Sequence, residues 1–299
     1  MLNGILNVYK EKGFTSFDVI AKLRIMTKQK KIGHTGTLDP DAQGVLPVCF
    51  GKATKVCDML TEKNKVYEAV LRLGIETDTQ DMTGKIISEK NVNCNEKEVY
   101  KTILDYVGDY EQIPPMYSAL KVNGQKLCDL AREGIEVERK ARKVHLYSIE
   151  ILSMDLPTVK MRVHCSKGTY IRTLCHDIGQ KLGCGGVMES LIRTKVSVFC
   201  IENAYRLDEI EKMIQEEKLN EKVMQIDQLF LDYPSLTAKE EYDIYIQNGN
   251  RMKQEYFLEV FHELQAGKFR VYDTKDNFIG IYGYDEDRMD FKPLKIFKE

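Results

Sequence analysis

The chain lacks the features that mark several common protein classes. Its 299 residues contain apolar runs of only a few side chains, too short to cross a bilayer. The start, Met1-Leu2-Asn3-Gly4-Ile5-Leu6-Asn7, has no basic-then-apolar order of a secretion signal, so a cytosolic (cytoplasmic) protein without membrane contact is expected. The eight cysteines never fall as Cys-x-x-Cys, and no Cys/His group has the paired spacing of a zinc site, so they read as reduced structural thiols. His164-Cys165 with Cys175-His176 comes nearest to a ligand set, but strand and helix-face residues seldom converge by accident. Neither Gly-x-x-x-x-Gly-Lys-Ser/Thr nor Gly-x-Gly-x-x-Gly occurs, which leaves nucleotide hydrolysis and nicotinamide chemistry without support. There is no internal repeat and no low-complexity tract. What is present is an ordinary globular composition, 43% apolar and 30% charged, long enough for a main domain and a small companion.

Net charge is only −2, but it is unevenly placed. Residues 22–55 set seven Lys/Arg against Asp39 and Asp41, and residues 160–195 set seven against Asp177 and Glu189, a balance of +5 each. Residues 202–299 set 14 basic against 22 acidic side chains, a balance of −8. Two basic segments ahead of an acidic tail suggest a polyanion-binding face on the main domain, although solvated faces would give the same counts.

Ile5 to Tyr9 reads as a strand, and Thr15-Ser16-Phe17-Asp18 as the capping box of a helix carrying Val19, Ile20, Leu23 and Ile25. Gly33, Gly36, Pro40, Gly44 and Pro47 make regular structure improbable over residues 33–47, which puts His34 and Asp39 on a shaped loop. A strand over 66–74 ends in the polar run 76–81. Asn95 with Glu98 opens a helix that turns Val99, Ile103, Leu104 and Val107 toward a core. Residues 113–142 mix Pro, Gly, Tyr and basic side chains and read as an excursion from the sheet. Strands over 144–154 and 159–165 follow, then a helix from Thr169 to Gly183, a strand over 188–199 and a charged helix near 207–215. After a boundary at 227–234 come short alternating strands with turns at 248–249, 266–267 and 276–277, the pattern of a small β domain.

A lone loop aspartate is usually a turn former, and Asp39 alone carries no chemistry. A second motif, His164 to Leu174, runs a strand through a glycine turn into a helix start, where free N–H groups favour an anion and Tyr170 and Arg172 emerge in the first turn. An arginine paired with Asp39 would keep that carboxylate ionised and fixed in orientation.

Asp39, Tyr67, Tyr170 and Arg172, with their flanking residues, resemble the TruB family of tRNA pseudouridine synthases. Gly33 to Lys55 is similar to the family's catalytic motif, and Lys65-Val66-Tyr67 with Leu73-Gly74 and Thr77-Asp78-Thr79 to its second motif. Ile113 to Lys121 resembles the mobile thumb, and His164 to Leu174, Leu182 to Gly185 and Leu191-Ile192-Arg193 resemble the remaining core. These ordered matches run over residues 4–200.

The resemblance implies isomerisation of uridine to pseudouridine at position 55 in the T loop of tRNA, a reaction without redox change that requires no cofactor and no metal. It implies Asp39 as nucleophile, at the ribose C1′ or the base C6 or by assisting a glycal route. His34 would fill the space left by the flipped base, and Tyr67 would stack on the uracil and move a proton. Arg172 would pair with Asp39, Tyr170 would line the pocket, and Lys12, Lys121 and Lys167 would contact RNA. The implied fold is α/β (α+β), with a central mixed, largely antiparallel sheet. A catalytic domain would occupy residues 1–230, with a thumb-like insertion at about 109–143, and a PUA-like β domain residues 231–299. Because the tail is acidic, the main domain and thumb are expected to make most phosphate contacts. The expected partner is the T stem-loop of tRNA, bound by a monomer. Two further readings are an RNA-binding or tRNA-folding protein without turnover, and a guide-dependent synthase acting on another RNA. The intact Asp39, Tyr67 and Arg172 set argues against the first, and the contiguous thumb without long basic extensions against the second.

Overall fold

The computed structural model describes residues 1–259 and 266–297. In chain order the first strands are β1 (Gly4–Lys10), β2 (Ile32–His34), β3 (Gln43–Phe50) and β4 (Lys65–Leu73). A side hairpin of β5 (Ile75–Thr77) and β6 (Ile86–Glu89) precedes β7 (Gly108–Gln112), and a second hairpin of β8 (Lys121–Val122) and β9 (Gln125–Lys126) follows it. The main sheet is completed by β10 (Arg142–Asp155), β11 (Thr158–Cys165), β12 (Gly186–Val196) and β13 (Phe199–Cys200). Its order is β1-β3-β12-β4-β11-β10-β7, with β2 beside β3 and β13 beside β12. All these pairings are antiparallel except a short parallel contact of β12 with β3, at Ile192↔Gln43 and Arg193↔Gly44. The sheet is therefore mixed and largely antiparallel, as the sequence resemblance implies.

Regular structure extends into the segment expected to be loop throughout. Gly33 and His34 belong to β2, and Gly44 and Pro47 lie inside β3. Pro47 is tolerated because β3 changes partner there: its pairs with β12 end at Gly44 and its pairs with β2 begin at Val48, so the missing N–H falls in a gap. Only residues 35–42 form the loop proper.

Helices cover the sheet where the apolar phase demands it. Helix α1 (Ser16–Thr27) starts at the expected capping box, with the Thr15 hydroxyl accepting from the Asp18 N–H and Asp18 accepting from the Thr15 N–H. It buries Val19, Ile20 and Leu23, whereas Ile25 faces solvent, because its position falls off the buried stripe. After α2 (Cys57–Thr61), α3 (Glu96–Leu104) carries the same box at Asn95 and Glu98 and buries Val99 and Ile103. Val107 lies beyond that helix and is exposed. Helix α4 (Leu127–Arg132) sits in the excursion, and α5 (Ile171–Lys181) packs Leu174, Cys175 and Ile178 on the inward residues of β4 and β11. Gly179 allows that packing, since a Cβ there would lie 2.1 Å from the Gly186 nitrogen.

On the other side, α1 and α6 (Leu207–Gln215) cover Leu6, Val8, Leu46 and Val48 of β1 and β3. The opposite face of the same two strands, at Ile5, Val45 and Cys49, is covered by Phe230, Ile281 and Phe297. The latter two belong to the end of the chain, which forms a second sheet after the short helix α7 (Leu219–Lys222). That sheet comprises β14 (Ser235–Thr237), β15 (Met252–Lys253), β16 (Lys268–Tyr272), β17 (Phe278–Asp285) and β18 (Asp290–Ile296), in the order β14-β16-β17-β18-β15. The turn at 276–277 joins β16 to β17, but Asn248-Gly249 follows helix α8 (Asp243–Gln247) and Ala266-Gly267 leads into β16. Lys295 bonds Asp58 at 2.7 and 2.8 Å and Lys55 bonds the Ile296 carbonyl at 2.9 Å, tying this sheet to the turn behind β3.

Strands β7 and β10 pair directly, Arg142 opposite Gln112, so the chain between them leaves the sheet and returns to the neighbouring strand. Gly44 is a second point of close backbone approach. Its φ is +103°, and a Cβ would stand 2.2 Å from the Arg193 carbonyl oxygen. Gly44→Ala is expected to lower the unfolding free energy by about 3 kcal/mol or more, read by denaturant titration; a loss below ~1 kcal/mol would show that β12 can move away from β3 without consequence.

Candidate active site

Residues 35–42 have no ladder of their own, and their shape is imposed by donors from neighbouring elements. The Thr35 N–H donates to the Pro47 carbonyl at 3.2 Å, and the Ala42 N–H closes a turn on the Asp39 carbonyl at 3.1 Å. The Ser16 hydroxyl at the start of α1 accepts from the Leu38 N–H at 2.9 Å and lies 3.3 Å from the Leu38 carbonyl. Lys10, fully buried at the end of β1, donates to the carbonyls of Pro40 at 2.9 Å and Phe14 at 2.6 Å. Burial pushes the Lys10 pKa down to about 8, against the opposing pull of Asp39 and Asp41. Arg193 of β12, 1% exposed, donates through Nη2 to the Gly36 carbonyl at 3.1 Å and through Nε to the Val45 carbonyl at 2.7 Å.

This cradle presents Asp39 beside the start of α5. Arg172 Nη2 lies 3.4 Å from Asp39 Oδ1, and Nη1 lies 3.5 Å from Asp81 Oδ2. The Arg172 side chain is only 6% exposed, while that of Asp39 is 38% exposed, so the arginine is fixed and the carboxylate accessible. A third contact, Nη2 to the Tyr117 carbonyl at 2.6 Å, brings the excursion into the site. Asp81 is held in turn by the hydroxyls of Thr79 at 2.8 Å and Thr83 at 2.5 Å. Burial of Asp39 outweighs the pull of Arg172, the neighbouring Asp81 charge adds to the effect, and the Asp39 pKa is raised. The expected pairing is present, but it does not depress the carboxylate as a dedicated ion pair would.

Tyr67 occupies an inward position in the middle of β4, with Val163 of β11 opposite on one side and Arg193 opposite on the other. Burial raises its phenol pKa, and the neighbouring Arg193 charge opposes that rise. Tyr170 is the residue before α5; its N–H donates to Gln112 Oε1 at 2.8 Å and its carbonyl accepts from Gln112 Nε2 at 2.9 Å. Its ring centroid lies 5.9 Å from the Arg172 guanidinium carbon. His34 ends β2, half-buried, with Nδ1 accepting from the Gly36 N–H at 3.3 Å. Burial and the Arg193 charge lower its pKa, which keeps the imidazole neutral near pH 7.

The structure thus gathers Asp39, Arg172 and Tyr170 at the start of α5, and links Tyr67 and His34 through Arg193. The three lysines lie apart on the surface. Lys12 is 3.7 Å from Asp41, Lys167 pairs with Glu62, and Lys121 lies on the exposed β8–β9 hairpin. Asp81, Arg193 and Lys10 have no site role in the sequence reading, although Arg193 closes one of its motif segments. Arg193 had a usable signal, since the period of two that buries Leu191 also points residue 193 inward. Asp81 closes the polar run 76–81, and the second edge of a buried guanidinium needs an acceptor.

The raised Asp39 pKa has a consequence for stability. Between the unfolded and folded values the folded chain holds the extra proton, so stability falls as pH rises through that window. Asp39→Asn is therefore expected to be at least as stable as the native chain at pH 7, with the advantage vanishing below about pH 4, where both states are protonated. Melting temperatures measured across that range check it, and a variant that is less stable at pH 7 but equal at pH 4 contradicts it.

A sequence profile for the TruB family pseudouridylate synthase N-terminal domain matches residues 24–171, and one for the tRNA pseudouridylate synthase B C-terminal domain matches residues 172–235. The changeover falls in the first turn of α5, inside the unit built on the main sheet. A curated relative named tRNA pseudouridine synthase B from Lachnoclostridium phytofermentans is 54% identical, covering 99% of this chain and 100% of its own. Another of that name from Clostridium kluyveri is 46% identical, with 99% and 100% covered. Among solved structures, a chain of an H/ACA ribonucleoprotein bound to a substrate RNA containing 2'-deoxyuridine superposes with a TM-score of 0.73 at 22% identity, over 99% of this chain and 85% of that one. A chain of a Cbf5-Nop10-Gar1 complex gives 0.73 at 24%, over 98% and 84%. Those two identities speak to the fold alone. The full-length identity to the curated relatives goes further: this chain belongs to the TruB family of pseudouridylate synthases.

Proposed function

We propose that this chain converts uridine to pseudouridine at position 55 in the T loop of tRNA, with Asp39 as the nucleophile. The observation that carries this reading is an accessible carboxylate anchored by a buried arginine, 3.4 Å away, in a chain 54% identical to a tRNA pseudouridine synthase B. In the reaction the bond from uracil N1 to ribose C1′ breaks, the ring turns, C5 bonds to C1′, C5 gives up its proton and N1 gains one. Atoms and electrons balance without an oxidant or a metal. Asp39 is suited to this by its fixed orientation, whether it attacks C1′ or C6 or assists a glycal route.

The remaining groups take roles around the extruded base. His34, neutral and next to the loop, fills the vacancy in the RNA; Tyr67 stacks on the uracil and Tyr170 lines its pocket. Lys12, Lys121 and Lys167 contact phosphates at the rim, and the partner is the T stem-loop bound by a monomer. Residues 1–230 supply catalysis, with the excursion near 109–143 closing on the RNA, and residues 231–299 form a PUA-like companion whose acidic balance gives it a minor share of the phosphate contacts.

Mass-spectrometric mapping of a tRNA transcript incubated with the purified chain tests reaction and position together. The expected outcome is pseudouridine at position 55, and product only elsewhere would redirect the substrate assignment. Asp39→Asn is expected to abolish product while the tRNA Kd stays within about threefold; undiminished product from that variant would sink the nucleophile. Affinity is expected to fall steeply with salt, and replacing Lys12, Lys121 or Lys167 by alanine to reduce the log–log slope by about one each. A slope unchanged in all three variants would remove these lysines from the interface.

A further inference from the structure

Arg193 is fully buried, yet among the described residues it makes no ion pair with a carboxylate. The titratable groups facing it are Lys10, Lys65, His34 and Tyr67, two of them cations. An apolar side chain of similar volume would be easier to bury in such a place, so the guanidinium needs a reason. Its contacts supply one. Nε and Nη2 are committed to the carbonyls of Val45 and Gly36, which stand on either side of the loop carrying Asp39. What remains of the fork faces the Tyr67 phenol, directly across the β4–β12 pairing.

We propose that Arg193 is a positioning residue that acts through Tyr67, holding its phenol oxygen as an acceptor at a fixed distance from the Asp39 loop. An arginine has donors only, so toward Arg193 the phenol can only accept. The Tyr67 hydroxyl proton is thereby directed away from the strand and into the base pocket. The other ionisable neighbours of Tyr67 are Cys165 on β11 and Asp39 on the loop, and neither is a cation that could replace Arg193 in this role. One guanidinium thus sets both the nucleophile's loop and the tyrosine that meets the base. The inference rests on the reading of Tyr67 as the residue against the extruded uracil.

A double-mutant cycle on the full chain tests it, using single-turnover rates of pseudouridine formation in tRNA, with tRNA Kd and melting temperature alongside. Arg193→Lys keeps the charge but replaces the planar fork, whose Nε and Nη2 reach separate carbonyls, by a single donor atom. It is expected to slow the reaction roughly 30-fold when Tyr67 is present and less than about threefold in the Tyr67→Phe background, with Kd changed by less than about threefold in both. Losses that multiply in the double variant overturn the coupling, as does a loss of affinity that accounts for the loss of rate. Should Arg193→Lys fail to fold, Tyr67→Phe alone reads the contact: its melting temperature falls by several degrees because a buried guanidinium donor loses its acceptor, and an unchanged value overturns the proposal. A native chain that makes no pseudouridine overturns the functional reading beneath it, an outcome distinct from multiplicative losses in an active enzyme.

Discussion

The structure depends on donors from flanking strands reaching the carbonyls of a segment that cannot shape itself. Residues 35–42 carry the Asp39 carboxylate but only one internal turn bond, Ala42 to Asp39. Lys10 from β1 and Arg193 from β12 enter from the two strands that flank β3, which continues the loop. The mixed topology is therefore what brings both cations to the loop. The parallel β3–β12 contact, the exception in an antiparallel sheet, places the Arg193 backbone against Gly44, where no side chain larger than hydrogen fits. Burying two cations to hold one loop is costly. The two are not equivalent, because Lys10 is desolvated to a pKa of about 8 while an arginine keeps its charge through the working range.

A second constraint follows from sharing one arginine among several acceptors. Arg172 touches Asp39, Asp81 and the Tyr117 carbonyl, so its position reports on three parts of the chain. Asp81 leads to the β5–β6 hairpin and Tyr117 to the excursion between β7 and β10. Movement of either segment changes how firmly the arginine holds Asp39, and so the balance between burial and attraction that sets its pKa. Because the excursion reaches Arg172 through a backbone carbonyl, this coupling survives most side-chain changes at residue 117.

Much of this architecture was written locally in the chain. Both capping boxes, at Thr15 and Asn95, formed where the sequence placed them, as did the helix over 207–215 and the strands that frame Tyr67. These are short-range effects, carried by side chains within one turn or by a period of two. The misreadings arose where distant partners decide the outcome. Gly44 and Pro47 signal a loop by their own preferences, yet β3 accommodates them because Arg193 approaches closely at one and the partner strand changes at the other. Asp39 and Arg172 could be paired from motifs, but the dilution of that pair by Asp81 and Tyr117 could not, since it depends on how two separate excursions return to α5.

The small C-terminal sheet has a structural part that its sequence leaves hidden. Strands β1 and β3 are buried on both faces, and one of those faces is covered by Ile281 and Phe297 together with Phe230. That cover completes the packing over Val45 and Cys49, to which Val56, Val196 and Phe199 also contribute, behind the Val45 carbonyl that receives Arg193. Polar ties add to this: Lys295 of the same sheet bonds Asp58 in α2, and Lys55 in the turn after β3 donates to the Ile296 carbonyl. Residues 231–299 set 10 basic against 14 acidic side chains, a balance of −4, so this module is poorly placed to hold polyanions by charge. It is well placed to hold β3, and through β3 the loop, so an acidic unit at the far end of the chain still helps to keep Asp39 in position.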